Sequence, residues 1–495
     1  MLLLAAPTLV FCLTWLRWYI GIPAFLLLGF ATLRAVKGAE NKTLELHPAV
    51  LLLTIILLLV WSILSGQGGF FAQKSDHLYR NAIFHDLIEY DWPVLYHDAK
   101  DGMLIYYIGH WFVPALFGKL GTALFGYDGG WLTGRIALLL WTTIILLAAF
   151  LLLCAYLRAN SKKQIFLLLA VLILFSGADY IGVAISNPNA TTDYWARGHW
   201  EWWAKSAQFS SNSTQLAWVF NQSVPAWLGT ILFLDEKSPR SYALIGLFLL
   251  PTSPLPLVGL AVFMLAYAVR DLCLACKQKQ VPAYLKQLIT IQNILAVVII
   301  LPIFALFYSQ NSMTSGDSTG LRFAAREILQ HPFVFLLFLL VEGLVLLVLV
   351  AKKCNRFPAL IVWFQLLLFP FIRMGGAKDF CMRATIPALF VLMIMAMRYL
   401  LEEKPLLTNE KDSKAPKKLN LVYLAVCIVL LFGTVTPITE YTSATKRMLE
   451  TDGACIAEMD RYKSLAPLPD VKKLNFICHD AHDSTFYRHL ARQEK

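Results

Sequence analysis

The sequence predicts an all-α polytopic membrane protein, and three observations carry that prediction. Apolar stretches of roughly 18 or more residues recur along the chain, the length that crosses a bilayer as a helix. The 495 residues are 58% hydrophobic and only 15% charged, against about 25% charged in a typical soluble domain. The basic residues gather in short loops between apolar runs, as positive-inside topology requires. Helices are expected because backbone groups in lipid must be satisfied within their own segment. The net charge of +11 is dispersed over separate loops, which argues against a nucleic-acid partner.

Taken in order, residues 1–33 are apolar apart from Arg17 and are followed by Arg34 and Lys37. One long or broken span, or a tight hairpin, is expected there, ending in the cytoplasm. No basic region precedes this run, so no cleavable signal is expected. His47-Pro48 opens a second span that ends near Ser65, outside. Residues 66–130 then form a long extracytoplasmic loop. It opens with an amphipathic helix from about Ser75 to Tyr90. Ser75 suits an N-cap, Leu78, Ala82, Ile83 and Leu87 share one face, and Pro93 prevents continuation. A second apolar helix, roughly 103–117, is expected at the membrane interface.

The span 131–157 ends at the basic residues Arg158, Lys162 and Lys163. Residues 164–185 return outward to an aromatic outer loop, 186–213, and residues 214–234 run inward to Asp235–Arg240. Residues 242–270 lie between two basic loops. They are therefore expected as a pair of short helices, with Pro251 to Pro256 at the turn. Spans near 287–308, 333–351, 357–372, 385–401 and 420–437 complete a domain of residues 1–437. The expected total is about ten to twelve membrane helices, counted by bilayer-crossing length. The polar tail 438–495 is expected as a small extracytoplasmic cap. No internal repeat is visible, so the inverted halves of many transporters are missing.

The nine cysteines give no disulfide framework. Cys12, Cys154, Cys381 and Cys427 lie in or beside apolar segments and suit packing as small hydrophobes. Cys273-x-x-Cys276 is half of a metal or redox motif without a second half. Cys455 and Cys478 lie in the tail, where a disulfide is open if the tail is extracytoplasmic.

On this topology the unusual polar residues fall on one side. Lys74 to Pro93 holds eight ionisable residues, counting histidine, among them Asp76, His77, Arg80, Asp86 and Asp91. Arg197, His199, Glu201 and Lys205 sit among Tyr194, Trp195, Trp200, Trp202 and Trp203. Asn221 and Gln222 precede Pro225. Arg373, Lys378, Asp379 and Arg383 lie between two apolar spans. Charges at membrane depth are costly and usually mark a pathway, a site or an ion pair. Each group also has a bland reading. Asp76 and Arg80 are spaced to pair on a helix, and Asp379 suits Arg373 or Arg383. The tryptophans suit an interfacial belt, Asn221 and Gln222 a helix–helix hydrogen bond, and Asp91 a cap before Trp92-Pro93. Sidedness weighs against all of these at once.

The residue types suit one chemistry. Arginine forks bind phosphate through charge-assisted bonds. A carboxylate takes a proton from an attacking hydroxyl. Aromatic faces pack on sugar rings. A lipid-phosphate-linked sugar needs all three, and its phosphate is the leaving group, where cationic groups stabilise developing charge.

The motif Asp76-His77-x-x-Arg80-Asn81-Ala82, then Asp86-Leu87, Trp92-Pro93-Val94-x-Tyr96 and Leu104-x-Tyr106-Tyr107, resembles the first extracytoplasmic loop of GT-C glycosyltransferases. The resemblance is to the branch of aminoarabinose-lipid A transferases, protein mannosyltransferases and RgtA/B/C/D-like proteins. It implies a GT-C-like bundle with amphipathic jaw helices in that loop, in a plasma (inner) membrane, with the active site on the extracytoplasmic face. It implies a polyprenyl-phosphate sugar donor and a glycan, lipid or protein acceptor. Asp76 would be the catalytic base. His77, Arg80, Asp91, Trp92, Tyr96, Trp200, Glu201, Trp203, Asn221, Arg373, Asp379 and Arg383 would bind substrate, with Arg373 and Arg383 on the donor phosphate. Many members use a divalent cation. Here one carboxylate and an imidazole at Asp76-His77 make a poor hard-cation site, so no metal ligand is assigned.

The expected function is glycosyl transfer by single displacement with inversion. The alternative is a flippase or transporter of lipid-linked saccharides, which should carry polar residues on both leaflets. A polysaccharide polymerase or ligase, and an assembly protein without catalysis, are the other classes compatible with the composition.

Overall fold

The computed structural model describes residues 1–39, 44–97, 101–191, 199–309, 311, 321–351, 353–374, 379–407, 418–468, 476–478 and 480–493. Of the residues singled out above, Tyr194, Trp195, Arg197 and Lys378 lie outside the described residues.

The first apolar run folds as a tight hairpin of α1 (Leu2–Trp15) and α2 (Trp18–Gly38). A Cβ at Gly21 would lie 2.0 Å from the Cys12 carbonyl oxygen, so the close approach of the two helices requires glycine there. Helix α3 (Pro48–Leu64) starts with proline in its first turn, where a missing N–H leaves no bond unmade. Gly66, Gly68 and Gly69, all at positive φ, then turn the chain into α4 (His77–Glu89).

Helix α4 differs from the amphipathic helix expected. His77, Arg80, Phe84, His85 and Asp86 are buried along with the apolar residues, because the C-terminal segment covers its polar side. Asp76 rather than Ser75 is the N-cap residue, and it makes no side-chain cap hydrogen bond. Strands β1 (Leu95–Tyr96) and β2 (Gly102–Met103) pair antiparallel after it.

Element α5 (Gly109–Tyr156) is two helical arms joined at Gly126, whose φ is 76°; the arms fold back on each other, with Gly118 against Gly134 and Thr122 against Gly130. The interfacial helix and following span expected from sequence are thus two helices, longer toward each other than expected and joined at a turn where glycine adopts the backbone without strain. Helix α6 (Lys162–Leu174) opens with a capping box between Ser161 and Gln164, and α7 (Asp179–Ser186) follows a short break. Helix α8 (Asn212–Asp235) is buried along nearly its whole length.

Helices α9 (Tyr242–Leu247) and α10 (Pro254–Lys277) flank a turn at Pro251. The turn is where the prolines place it, but α10 is long enough to cross a membrane rather than short. Then come α11 (Val281–Leu288), α12 (Ile291–Tyr308), α13 (Ala325–Leu329), α14 (Pro332–Ala351) and α15 (Arg356–Leu368). The chain ends with α16 (Asp379–Ala384), α17 (Ile386–Glu402), α18 (Leu421–Gly433), α19 (Val435–Glu450), α20 (Ala454–Met459) and α21 (Thr485–His489). Strands β3 (Leu321–Phe323) and β4 (Ile372–Met374) form a second small antiparallel pair, with Arg322 opposite Arg373.

Among the described residues, seven helices are long and apolar enough to cross a membrane, and three shorter helices are also apolar. This is an all-α polytopic membrane protein. Helix α8 is its centre, packed by α5, α17, α10, α6 and α19. Large apolar side chains such as Leu26, Leu124, Leu265 and Val298 face outward, as a lipid-bathed surface requires.

The C-terminal segment is tied into the bundle rather than set apart. Ile477 bridges Leu104, and Ala491 bridges Leu16. The Leu465 N–H donates to Asp86 Oδ2 at 3.0 Å, and Asn81 Nδ2 donates to the Met459 carbonyl at 3.1 Å. Cys455 and Cys478 are separate, buried free thiols.

Candidate functional site

At the N-terminal end of α8, segments far apart in sequence enclose a cavity of about 660 Å³. The entry to α4 supplies Asp76. Segment 199–208 supplies His199, Glu201, Trp202, Lys205 and Gln208. Helix α8 adds Thr214 and Trp218, α16 adds Asp379, Met382 and Arg383, and α19 adds Glu440. Of the expected site residues, Asp76, Glu201, Asp379 and Arg383 therefore share one chamber.

Asp76 keeps 45% of its side chain exposed while Arg80 Nη2 holds one oxygen at 3.0 Å, one helical turn on. Arg80 is otherwise buried, and its Nη1 has no hydrogen-bond partner among the described residues. Across the cavity Arg383 donates to the Tyr107 hydroxyl at 2.6 Å and lies 3.4 Å from Asp379 Oδ2. Tyr107 in turn packs on Tyr106, with ring centroids 3.6 Å apart. The Tyr106-Tyr107 pair noted in the sequence is thus the floor beneath Arg383.

The opposite wall is acidic and aromatic. Glu201 Oε1 accepts from the Ser211 N–H at 2.8 Å, and Oε2 accepts from Gln208 Nε2 at 3.1 Å. Burial, then the charge of Asp179, pushes the Glu201 carboxyl up. His199 stacks on Trp202 at 4.5 Å. Burial, then the charge of Lys74, holds its imidazole down to about 4. Lys74 pairs with Glu440 and lies 5.8 Å from the Trp218 ring centroid.

Other expected site residues serve packing instead. His77 is buried, stacks on Phe220, and meets the Ala217 carbonyl through Nε2 at 2.9 Å. Burial, then Arg80, holds it down to about 3. It therefore forms no joint site with Asp76. Trp92 donates its indole N–H to the Leu87 carbonyl at 2.9 Å, satisfying a helix-end acceptor of α4. Tyr96 donates to Asp86 Oδ2 at 2.7 Å. Asp91 is exposed beyond the end of α4. Trp200 packs on Tyr180, and Trp203 donates to Glu342 Oε1 at 3.1 Å. Asn221 is fully buried, and its amide has no partner among the described residues.

Arg373 corrects the expectation of two arginines in one chamber. It donates to the Ser206 carbonyl and lies 3.6 Å from Glu327. The β3–β4 pairing turns it behind the 203–208 segment, so it supports the wall without lining the cavity.

Lining residues missed in the sequence are Gln208, Thr214, Trp218, Val219, Met382 and Glu440. Glu440 carried a usable signal, a carboxylate just past an apolar span. Among the described residues, no three His, Cys, Asp or Glu side chains converge to hold a metal. No family model, curated protein or solved structure matches the chain.

Proposed function

We propose that this protein is a membrane glycosyltransferase that takes a sugar from a polyprenyl-phosphate donor and passes it to a glycan, lipid or protein hydroxyl on the extracytoplasmic side. The observation that carries the reading is the single cavity in which Asp76 faces Arg383 beneath aromatic walls. Arg383, fixed by Tyr107 and Asp379, offers a planar fork to the donor phosphate. Lys205 adds a second cation at the rim. As the sugar–phosphate bond breaks, negative charge grows on the phosphate, and cations already in place stabilise it without reorganising. Asp76, oriented by Arg80, accepts the proton of the incoming hydroxyl. Trp202 and Trp218 provide flat apolar surface for the sugar ring.

The test is transfer by the purified protein from a panel of polyprenyl-phosphate sugars, with and without chelator. Asp76→Asn should fold and bind donor but lose transfer by about 100-fold or more, the usual scale of general-base loss. Transfer at the wild-type rate by Asp76→Asn removes Asp76 from the mechanism. Energy-independent movement of intact donor across vesicles, without transfer, would instead favour the flippase.

A further inference from the structure

Away from the cavity, two carboxyl groups meet inside the bundle. Asp179 opens α7, and Glu342 lies in a π turn, Leu340–Leu344, within α14. They are 1% and 3% exposed and near enough to act on each other's ionisation. Asp179 Oδ2 also accepts from Thr436 Oγ1 at 2.7 Å and from Ser176 Oγ at 3.4 Å. Glu342 Oε1 accepts the Trp203 indole N–H. No amide, hydroxyl or amine among the described residues reaches Glu342 Oε2, which faces the backbone at Gly177, two residues before Asp179.

The backbone is shaped around this contact. The break between α6 and α7 docks on the π turn, with the Ala178 N–H donating to the Val341 carbonyl at 3.0 Å. A Cβ at Gly177 would lie 1.8 Å from Glu342 Oε2, so only glycine admits the carboxyl. π turns inside helices frequently mark functional positions.

Two neighbouring carboxylates away from water do not both ionise, so one of the pair keeps its proton. Among the described residues no cation of the packed elements pairs with these acids: Lys446 and Arg447 of α19 pair with Glu450 and Glu458. Helix α18 and the Pro332–Leu339 turns of α14 carry no charged side chain. Helix α7 adds Tyr180, and segment 200–202 adds another acid, Glu201. Helix α19 adds Thr436, while its Glu440 is turned to Lys74.

We propose that Asp179 and Glu342 form a proton-binding site, one proton shared between two carboxyls, which latches the Trp200–Trp203 segment onto the membrane helices. Loss of the proton leaves two facing negative charges. They separate, Trp203 loses its acceptor, and the cavity wall at Glu201 and Trp202 loosens. This site stands apart from the transfer reaction and does not depend on it.

Infrared absorption of the purified full-length protein in lipid nanodiscs tests it. The wild type minus Glu342→Gln difference at neutral pH should show one protonated-acid carbonyl band that shifts on deuteration. Asp179→Asn should lose the same band, since each variant keeps a donor in the pair but has one acid. Glu402→Gln, at the exposed end of α17, should leave the band unchanged. A difference spectrum showing only an ionised carboxylate overturns the proposal. So does displacement of the band by sodium chloride, which would assign the pair to a cation. If neither variant assembles, absence of any deuterium-sensitive acid band in the wild type overturns it as well.

Discussion

Replacing Asp86 with asparagine should relieve a pH-dependent cost beneath α4, the helix that presents Asp76. Asp86 is fully buried, and its Oδ2 accepts from the Tyr96 hydroxyl at 2.7 Å and the Leu465 N–H at 3.0 Å. Burial is the largest influence and pushes its carboxyl up from 3.8 to about 6, although hydrogen bonds from Ser464, Leu465 and Tyr96 pull the other way. At about 1.4 kcal/mol per pH unit, that rise corresponds to about 3 kcal/mol. The folded state binds this proton more tightly than the unfolded state. The stabilisation is therefore full below the ordinary value and lost as pH rises through about 6. Asparagine keeps an acceptor for both donors and cannot titrate. The stability difference between variant and wild type should move by about 2–3 kcal/mol in the variant's favour from acid to neutral pH. Denaturant unfolding in micelles, followed by tryptophan fluorescence at several pH values, measures it. A difference that stays constant with pH would refute the reasoning.

Three further outcomes follow from named contacts. Arg383→Lys keeps the charge but loses the fork, and should weaken a fluorescent polyprenyl phosphate by about 10-fold or more, the scale of one charge-assisted hydrogen bond. Arg373→Lys, off the cavity, should change that affinity little; equal losses in the two variants would contradict the placement of Arg373. Gly177→Ala forces a methyl against Glu342 and should destabilise by about 1–3 kcal/mol, the usual cost of overpacking, read as a lower thermal unfolding midpoint. Trp92→Phe removes the donor to the Leu87 carbonyl and should cost about 1 kcal/mol without changing donor affinity, checked by unfolding and binding together.

The membrane spans were legible because hydropathy needs no partner to be read. The turn at Pro251 was equally plain, since proline interrupts a helix wherever it is placed. The two arms of α5 were legible as separate helices, with the turn between them at Gly126. Helix α4 misled: its polar face meets a C-terminal segment almost four hundred residues away, so burial follows from tertiary contact. The same distance hid Glu440 beside Lys74. Asp76 and Arg383 were found because charge at membrane depth is rare. Arg373 looked equivalent by that criterion, and only the β3–β4 pairing separates it from the chamber.

The most direct measurement uses a photoreactive polyprenyl-phosphate sugar on the purified protein, with the labelled residues located by peptide mass spectrometry. Labelling should concentrate on Trp202, Trp218 and Met382, compete with unmodified donor, and fall in Arg383→Lys. Saturable, competed labelling confined to the α9–α12 face, with none on those three residues, would place the lipid phosphate elsewhere and contradict the account.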